Sequence, residues 1–259
     1  MNLLVFTKLV PATQEEELRI IDGGEGVDLT KVPFKVNDWD NYAVEEAVRI
    51  VEKVGGAVTA ISIGDAESDE VLRRAIAMGA KDGFLIEADK VLHDPNARAT
   101  LIANFLKQSG TPFDAIFTGV QSEDDQFAAV GGILAAKLGL PFASMVIKIE
   151  AFETGSALAR RELEGCLQER VMVMLPCVFS IQSGINEPRY VSIMGIRKAS
   201  KVERKAFKAK DYEAGANSLI EMVKWTYPLK KGGAKMLTGE MDSVCKELIG
   251  ILKEKGVYQ

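Results

Sequence analysis

Short unbroken apolar runs alternate with longer stretches of helical period through the first 140 positions of this 259-residue chain. The runs at residues 3–7, 58–63, 83–86 and 115–118 have the length and composition of buried strands. Between the first two, residues 42–54 place Ala43, Ala47, Ile50, Val51 and Val54 on one helical face with charges opposite, and Gly55-Gly56 ends the pattern. Residues 67–78 form a second amphipathic helix stopped at Gly79, and further helices are expected over 97–108 and 126–138. Strands alternating with helices of this length predict an α/β fold, a doubly wound and mostly parallel sheet covered on both faces. Right-handed crossovers then leave the strand carboxyl ends on one edge. Four loops are expected to converge there: residues 7–11, 37–40, 63–65 and 119–125.

After Leu140 the period changes to two. Residues 144–152 and 157–163 read as antiparallel strands joined by the turn Glu153-Thr154-Gly155, and apolar residues 171–175 and 178–181 continue the sheet around Pro176. A polar excursion over 11–36 holds the turn Asp22-Gly23-Gly24, expected as a small hairpin. Residues 200–238 carry many lysines and few apolar repeats, the mark of a segment that lies on a partner or stays unfolded. Residues 241–252 are a last amphipathic helix, with Met241, Val244, Leu248, Ile251 and Leu252 in its stripe. The expected organisation is an α/β domain with a hairpin extension over 1–200, followed by a long C-terminal arm and helix over 201–259.

Composition narrows the function mainly by exclusion. A formal charge of −5 argues against a general nucleic-acid binder, although the basic run at 197–210 has the makings of a docking strip. No apolar run is long enough to span a bilayer, and the opening MNLLVFTKLVP reads as a strand rather than a signal peptide, so a cytoplasmic protein without membrane insertion is expected. Cys166, Cys177 and Cys245 form no CxxC pair, and the one histidine, His93, sits in the loop sequence HDPN. Neither a metal site nor a catalytic triad is expected from this set. The nucleophile elbow GxSxG and the phosphate loop GxxxxGK[ST] are both missing.

The strongest local signal is the run DAIFTG, VQSEDD, QFAAVGGILAAKLGL from Asp114 onward. It places a glycine, amides and carboxylates between a buried strand and a helix start, where open α/β sheets hold nucleotides. Backbone N–H groups of residues 126–129 are expected to meet a phosphate without help from Lys or Arg. Small Ala128, Ala129 and Gly131 permit close approach. Asp124 and Asp125 would repel a phosphate, so they are expected to cap the helix or accept bonds from ribose hydroxyls.

Several segments together resemble the β (small) subunit of electron-transfer flavoproteins. They are VFTKLVP; AVEEAVRIVEK followed by VTAISIG; LRRAIAMGAKDG; GVQSEDDQFAAVGG; RRELEGC running on to LPCVFSI; and INEPRYVSIMGIRKASK. In order and spacing they cover residues 1–205. The resemblance implies an adenine-nucleotide α-hydrolase-like fold and a heterodimer whose α subunit holds most of a redox FAD. The β chain adds a structural AMP or, in electron-bifurcating members, a second FAD. Electrons pass from dehydrogenases through the flavin to a membrane quinone oxidoreductase or another acceptor, so the chain is implied to be a carrier subunit rather than an enzyme.

By the same resemblance the nucleotide contacts are Phe6, Asn37, Asp38, Trp39, Asp40, Ile63, Val120, Gln121, Ser122, Glu123, Asp124, Asp125, Gln126, Phe127, Ala128, Ala129, Val130 and Gly131. Tyr190, Ile193 and Met194 fall in the family's recognition loop, with Ile193 as the side chain that enters a partner dehydrogenase. Glu162, in the step Arg161-Glu162, is implied to bear on domain orientation. The chain departs from the family pattern at Val120, Ala129 and Val130, where many members carry Lys, Gln or Asn, and Thr. It also departs at Thr13, where some relatives place an aromatic beside the flavin, and at Cys166, which replaces a glycine. Bifurcating members carry a D-G-D-T-A-Q-type turn where this chain has Glu123-Asp124-Asp125-Gln126-Phe127-Ala128, and bulky Phe127 favours AMP over a second isoalloxazine. Two other readings stay open: a bifurcating subunit that oxidises NADH, and a free-standing nucleotide sensor, which would not need residues 200–259.

Overall fold

Strand β1 (Asn2–Phe6) shows how the apolar runs are used. Leu3 and Val5 face one core, Leu4 and Phe6 the other, and all four are buried. A strand buried on both faces loses its polar alternation, so an unbroken run is what a central parallel strand looks like in sequence. The computed structural model describes residues 1–14, 17–88, 93–229 and 232–257.

Four short strands follow: β2 (Leu9–Pro11), β3 (Arg19–Ile20), β4 (Val27–Asp28) and β5 (Phe34–Val36), of which β2 and β5 pair antiparallel. The turn Asp22–Gly24 between β3 and β4 is a short 3-10 segment. Then come α1 (Asp38–Val54), β6 (Ala57–Gly64), α2 (Asp69–Met78), β7 (Asp82–Glu87), α3 (Pro95–Ser109), β8 (Ala115–Gly119) and α4 (Val130–Leu138). The remainder holds β9 (Phe142–Glu153), β10 (Ser156–Glu162), β11 (Gln168–Met174), β12 (Cys177–Ile181), α5 (Ile193–Ala199), β13 (Lys205–Lys208) and α6 (Met241–Glu254). Among the described residues, nine strands form one sheet in the order β11-β10-β9-β12-β8-β1-β6-β7-β13. It is parallel from β9 through β13 and antiparallel only in the β9-β10-β11 hairpin layer.

Helices α1 and α2 cover one face, where Val44, Val48, Leu72 and Met78 meet Leu3, Val5, Phe117 and Phe179. Helices α3 and α4 cover the other, where Leu101, Phe105 and Leu134 meet Leu4, Ile61 and Ile116. Gly79 ends α2 at φ 127°, and a Cβ there would press within 2.8 Å of Val48 Cγ1, so both the turn and the packing of α1 on α2 require glycine.

Four features differ from the pattern-based expectation. The turn over 37–40 is not a free loop, because Asp38 already begins α1. Helix α4 starts at Val130 rather than Gln126: Gln126 and Ala128 lie in the left-handed region, at φ 53° and 51°, which breaks the helical run before it begins. Apolar residues 178–181 do not continue the hairpin outward. They return as β12 to the middle of the sheet, between β9 and β8, where all five of its residues are buried. Lys205–Lys208 has a core after all, because β13 extends the sheet beside β7 and packs Phe207 against Phe84 and Phe105.

The chain divides into two units, one of Met1–Arg19 with Val27–Val223 and one of Ile20–Gly26 with the residues from Lys224 onward. In the first, Asp94 caps α3 through Oδ1, taking the N–H groups of Asn96 (2.6 Å) and Ala97 (3.1 Å). Its Oδ2 accepts the N–H groups of Leu219 and Ile220, which fixes the segment after β13. In the second, Trp225 N–H donates to Gly24 O and Ile20 N–H to the Tyr227 hydroxyl, while no residue of α6 is buried.

Candidate functional site

The carboxyl ends of β1, β6 and β8 open onto a cleft. Its floor is the α3–α4 core carried up to the sheet edge: Phe6, Ile61, Ile63 and Ile102. One wall is the loop from Gly119 to Ala129 with the start of α4, and the other is Thr7, Lys8, Asn37 and Asp40. Topology thus brings together loops that are far apart in sequence.

Each expected site residue has a definite place. Phe6, Asn37, Asp40, Ile63, Val120, Gln121, Ser122, Asp125, Phe127, Ala128, Ala129, Val130 and Gly131 line the cleft. Asp38, Trp39, Glu123, Asp124 and Gln126 are not among its lining residues. Asp38 and Glu123 both bind Lys35 (3.1 and 3.0 Å), and the Trp39 indole donates to Gln182 Oε1 (3.0 Å). Gln182 Nε2 donates in turn to Glu162 Oε2 (3.3 Å). Asp124 accepts Lys8 Nζ at 2.6 Å, and Gln126 serves the loop through its left-handed backbone. Tyr190, Ile193 and Met194 are not among the lining residues and are 90 %, 70 % and 68 % exposed.

The acidic residues do not cap a helix. Lys8, two residues past the end of β1, reaches into the loop and donates to Asp124 Oδ1, Asp125 Oδ2 (2.9 Å) and Ser122 Oγ (3.0 Å). Arg98 Nη1 approaches the same Asp125 oxygen at 3.4 Å. Asp125 Oδ1 also accepts the Ser122 hydroxyl (2.8 Å) and Phe127 N–H (3.3 Å), which fixes the turn. Partial burial opposes its ionisation, but the Lys8 ammonium and the Ser122 bond outweigh it and hold the carboxyl below its ordinary value. Asn37 clips the loop from below, Nδ2 to Gln121 O (2.9 Å) and Oδ1 from Glu123 N–H (3.1 Å).

The start of α4 is left open. Ala129 at its N-cap has no side-chain acceptor, so the N–H groups of Val130, Gly131 and Gly132 have no side-chain cap. A Cβ at Gly131 would lie 2.8 Å from Thr118 Oγ1, so the helix start rides close on the end of β8. Uncapped N–H groups beside an apolar floor suit an anionic group joined to a planar one. The cleft therefore has uncapped backbone N–H groups and also two cations: Lys8, from the loop expected over 7–11, and Arg98, which the sequence pattern did not anticipate. Thr7 and Gly119 also come from the expected loops, while Ile61, Ile102 and Thr118 complete the unanticipated lining.

Asp40 joins the two walls. Its Oδ2 accepts Lys8 N–H (2.8 Å) and its Oδ1 accepts Gly119 N–H (3.1 Å), with the residue 6 % exposed. Burial pushes its carboxyl up from 3.8 to about 7, against the opposing pull of Asn37, these N–H groups and the Lys8 charge. A folded value above the unfolded one means the native state holds an extra proton between about pH 4 and 7. Stability attributable to Asp40 is then lost as pH rises through that window, by at most about 4 kcal/mol. Denaturation of wild type and Asp40→Asn across pH 4.5–8 should show the wild type losing ground to the variant as pH rises; parallel curves would mean the carboxyl is ionised throughout.

Among the described residues no helix is long and apolar enough to cross a membrane. A sequence model of the electron transfer flavoprotein domain matches residues 26–212. The chain is 32% identical over 258 residues to the electron transfer flavoprotein subunit beta of Bacillus subtilis (strain 168), covering 98% of each chain. It is 31% identical over 264 residues to the subunit of that name from Methylophilus methylotrophus, again covering 98% of each. It is also 31% identical over 269 residues to the caffeyl-CoA reductase-Etf complex subunit CarD of Acetobacterium woodii, covering 99% of this chain and 100% of that one.

Proposed function

The chain belongs to the electron transfer flavoprotein family, with its β subunits, and from that premise we propose that its cleft holds AMP as a structural brace. Family membership implies an α-subunit partner and a flavin in the heterodimer. The single observation that supports AMP here is the cleft itself: an apolar floor of Phe6, Ile61, Ile63 and Ile102 against the uncapped start of α4. An adenine fits the floor, a phosphate fits the N–H groups, and Asn37, Ser122 and Thr7 offer polar edges for the ribose. The fold then belongs with the adenine-nucleotide α-hydrolase-like sheets.

FAD at the interface with the α subunit supplies the electron storage. This chain's residues bind and orient rather than react: Lys8 and Asp125 set the loop, and Asn37 and Asp40 tie it to α1 and β1. The exposed Ile193, with Tyr190 and Met194, docks on a dehydrogenase, which passes electrons to the flavin and on to a quinone oxidoreductase or another acceptor. Residues 201–259 supply the α-subunit contact through α6, whose Met241, Leu248 and Ile249 are all exposed. Such a stripe is explained by a covering surface.

The alternative is a bifurcating subunit with its own FAD that oxidises NADH, and one observation weighs against it. Phe127 lines the cleft and is 47 % exposed, which narrows the space left for an isoalloxazine. Denaturing the co-purified heterodimer is expected to release one AMP and one FAD per αβ pair, identified by mass spectrometry. Two FAD and no AMP would establish the bifurcating reading. No adenine nucleotide beyond the FAD would end the assignment of the cleft.

A further inference from the structure

Tyr190, Ile193 and Met194 carry apolar surface outward on a segment whose core contribution is small. A free loop of that composition folds back on its own protein or wanders, and either costs affinity when a partner must order it. Here the segment is fastened at both ends by an arginine. At the amino-terminal end, Arg189 grips two carboxylates of α1. Its Nε and Nη2 donate to Glu45 (2.9 and 3.1 Å), its Nη1 and Nη2 to Glu52 (2.8 and 3.1 Å), and its backbone N–H to Glu45 as well (3.1 Å). Asn186 adds a second tie, Nδ2 to Tyr42 O (3.1 Å) and to Glu46 Oε2 (3.0 Å).

At the carboxyl-terminal end, Arg204 Nε bonds Asp69 at the start of α2, while its Nη1 donates to Ala199 O (3.2 Å) and Val202 O (2.8 Å). The second set of bonds ties Arg204 to the turn that follows α5, where Ala199 O also accepts Val202 N–H (3.0 Å). Between the clamps, the Ser192 hydroxyl caps α5 by accepting Gly195 N–H (3.1 Å), and Ala199 is buried. A planar guanidinium with a fixed fork of donors can hold two carboxylates, or a carboxylate and two carbonyls, in one geometry; an ammonium cannot.

We propose that Arg189 and Arg204 are positioning residues that hold residues 190–199 as a preformed docking plug, so that affinity for the dehydrogenase depends on two clamps that never touch it. This rests on the docking role given to Ile193 above. The ordering cost is met when the chain folds, and the partner meets a plug already in its bound shape.

The test uses the intact heterodimer and follows flavin reduction while its native dehydrogenase is titrated in, for wild type, Ile193→Ala, Arg189→Lys, Arg204→Lys and the Arg189→Lys/Ile193→Ala double variant. Arg189→Lys and Arg204→Lys are each expected to raise the half-saturating concentration about tenfold with the maximal rate, flavin content and reduction by dithionite unchanged. The Arg189→Lys effect should vanish in the Ile193→Ala background, because the clamp then has no plug to position. Glu52→Gln, at a side chain 55 % exposed, removes half of one clamp without endangering the core and should give a smaller shift in the same direction. If Ile193→Ala weakens the interaction and the arginine and Glu52 variants do not, the clamps are merely structural and the proposal fails while the docking reading stands. If Ile193→Ala itself changes nothing, the docking reading falls and takes the proposal with it.

Discussion

Lys8→Ala is expected to empty the cleft of nucleotide and to destabilise the chain by about 3 kcal/mol, the usual cost of removing one partner from a partly buried ion cluster. The lysine side chain is 18 % exposed and Asp124 and Asp125 are 24 % and 15 % exposed, so water replaces little of what is lost. Without the ammonium, neighbouring carboxylates repel across a loop that already holds Gln126 and Ala128 in left-handed backbone, at about 1–2 kcal/mol each. The loop would relax, and the wall of the cleft with it. Asp124→Asn should do less, because Lys8 keeps its bonds to Asp125 and Ser122. Urea denaturation and nucleotide analysis on the two variants give the order. A Lys8→Ala heterodimer that retains a full complement of nucleotide would show that the cluster is not what shapes the wall.

Gly119→Ala should be more severe still, with a loss of about 3 kcal/mol or more and poor recovery of folded protein. A Cβ at this position would lie 2.5 Å from Asp40 Oδ1, 2.7 Å from Trp39 Cβ and 3.1 Å from the Trp39 carbonyl carbon. The last two belong to the first turn of α1 and cannot swing aside. The added methyl would also break the Asp40–Gly119 bond that joins the walls. Gly131→Ala is the informative contrast, since its closest neighbour is a hydroxyl, Thr118 Oγ1, and alanine is the better helix former by up to about 1 kcal/mol. Thermal melts should therefore place Gly131→Ala, whose methyl must displace the buried Thr118 hydroxyl, between wild type and Gly119→Ala. Equal melts for all three would mean that α1 and β8 approach less closely than described.

What the sequence revealed and what it hid divide along physical lines. The βα alternation was legible because helical period, strand length and the stops at Gly55 and Gly79 are written locally. The place of β12 was not. A strand buried on both faces has the same composition whether it borders β11 or sits between β8 and β9, so only the assembled sheet distinguishes them. The start of α4 was misplaced because nothing in QFAA forbids a helix; the bonds of Asp125 to Lys8, Ser122 and Phe127 N–H make the turn instead. Topology and resemblance together found the loop lining the cleft. They placed Lys8 within the loop over 7–11 without giving it a role, and missed Arg98, since one lysine among many and one residue on the α3 face carry no periodic mark. The available signal was position: Lys8 lies two residues past the carboxyl end of the first buried strand.

The insertion of β12 sets a timetable for synthesis. Strand β8 is complete when Gly119 leaves the ribosome, but its neighbour on one side arrives only with Cys177–Ile181. At about 5–20 residues per second, the nascent chain carries that open strand edge for several seconds. During that time β9, β10 and β11 emerge as a hairpin layer whose route to the rest of the sheet runs through β12. A stalled or truncated product ending before Cys177 would present two sticky edges at once, the hazard that chaperones exist to contain. Pauses in translation between the codons for Gly119 and Cys177 would thus lower the yield of folded subunit more than pauses elsewhere.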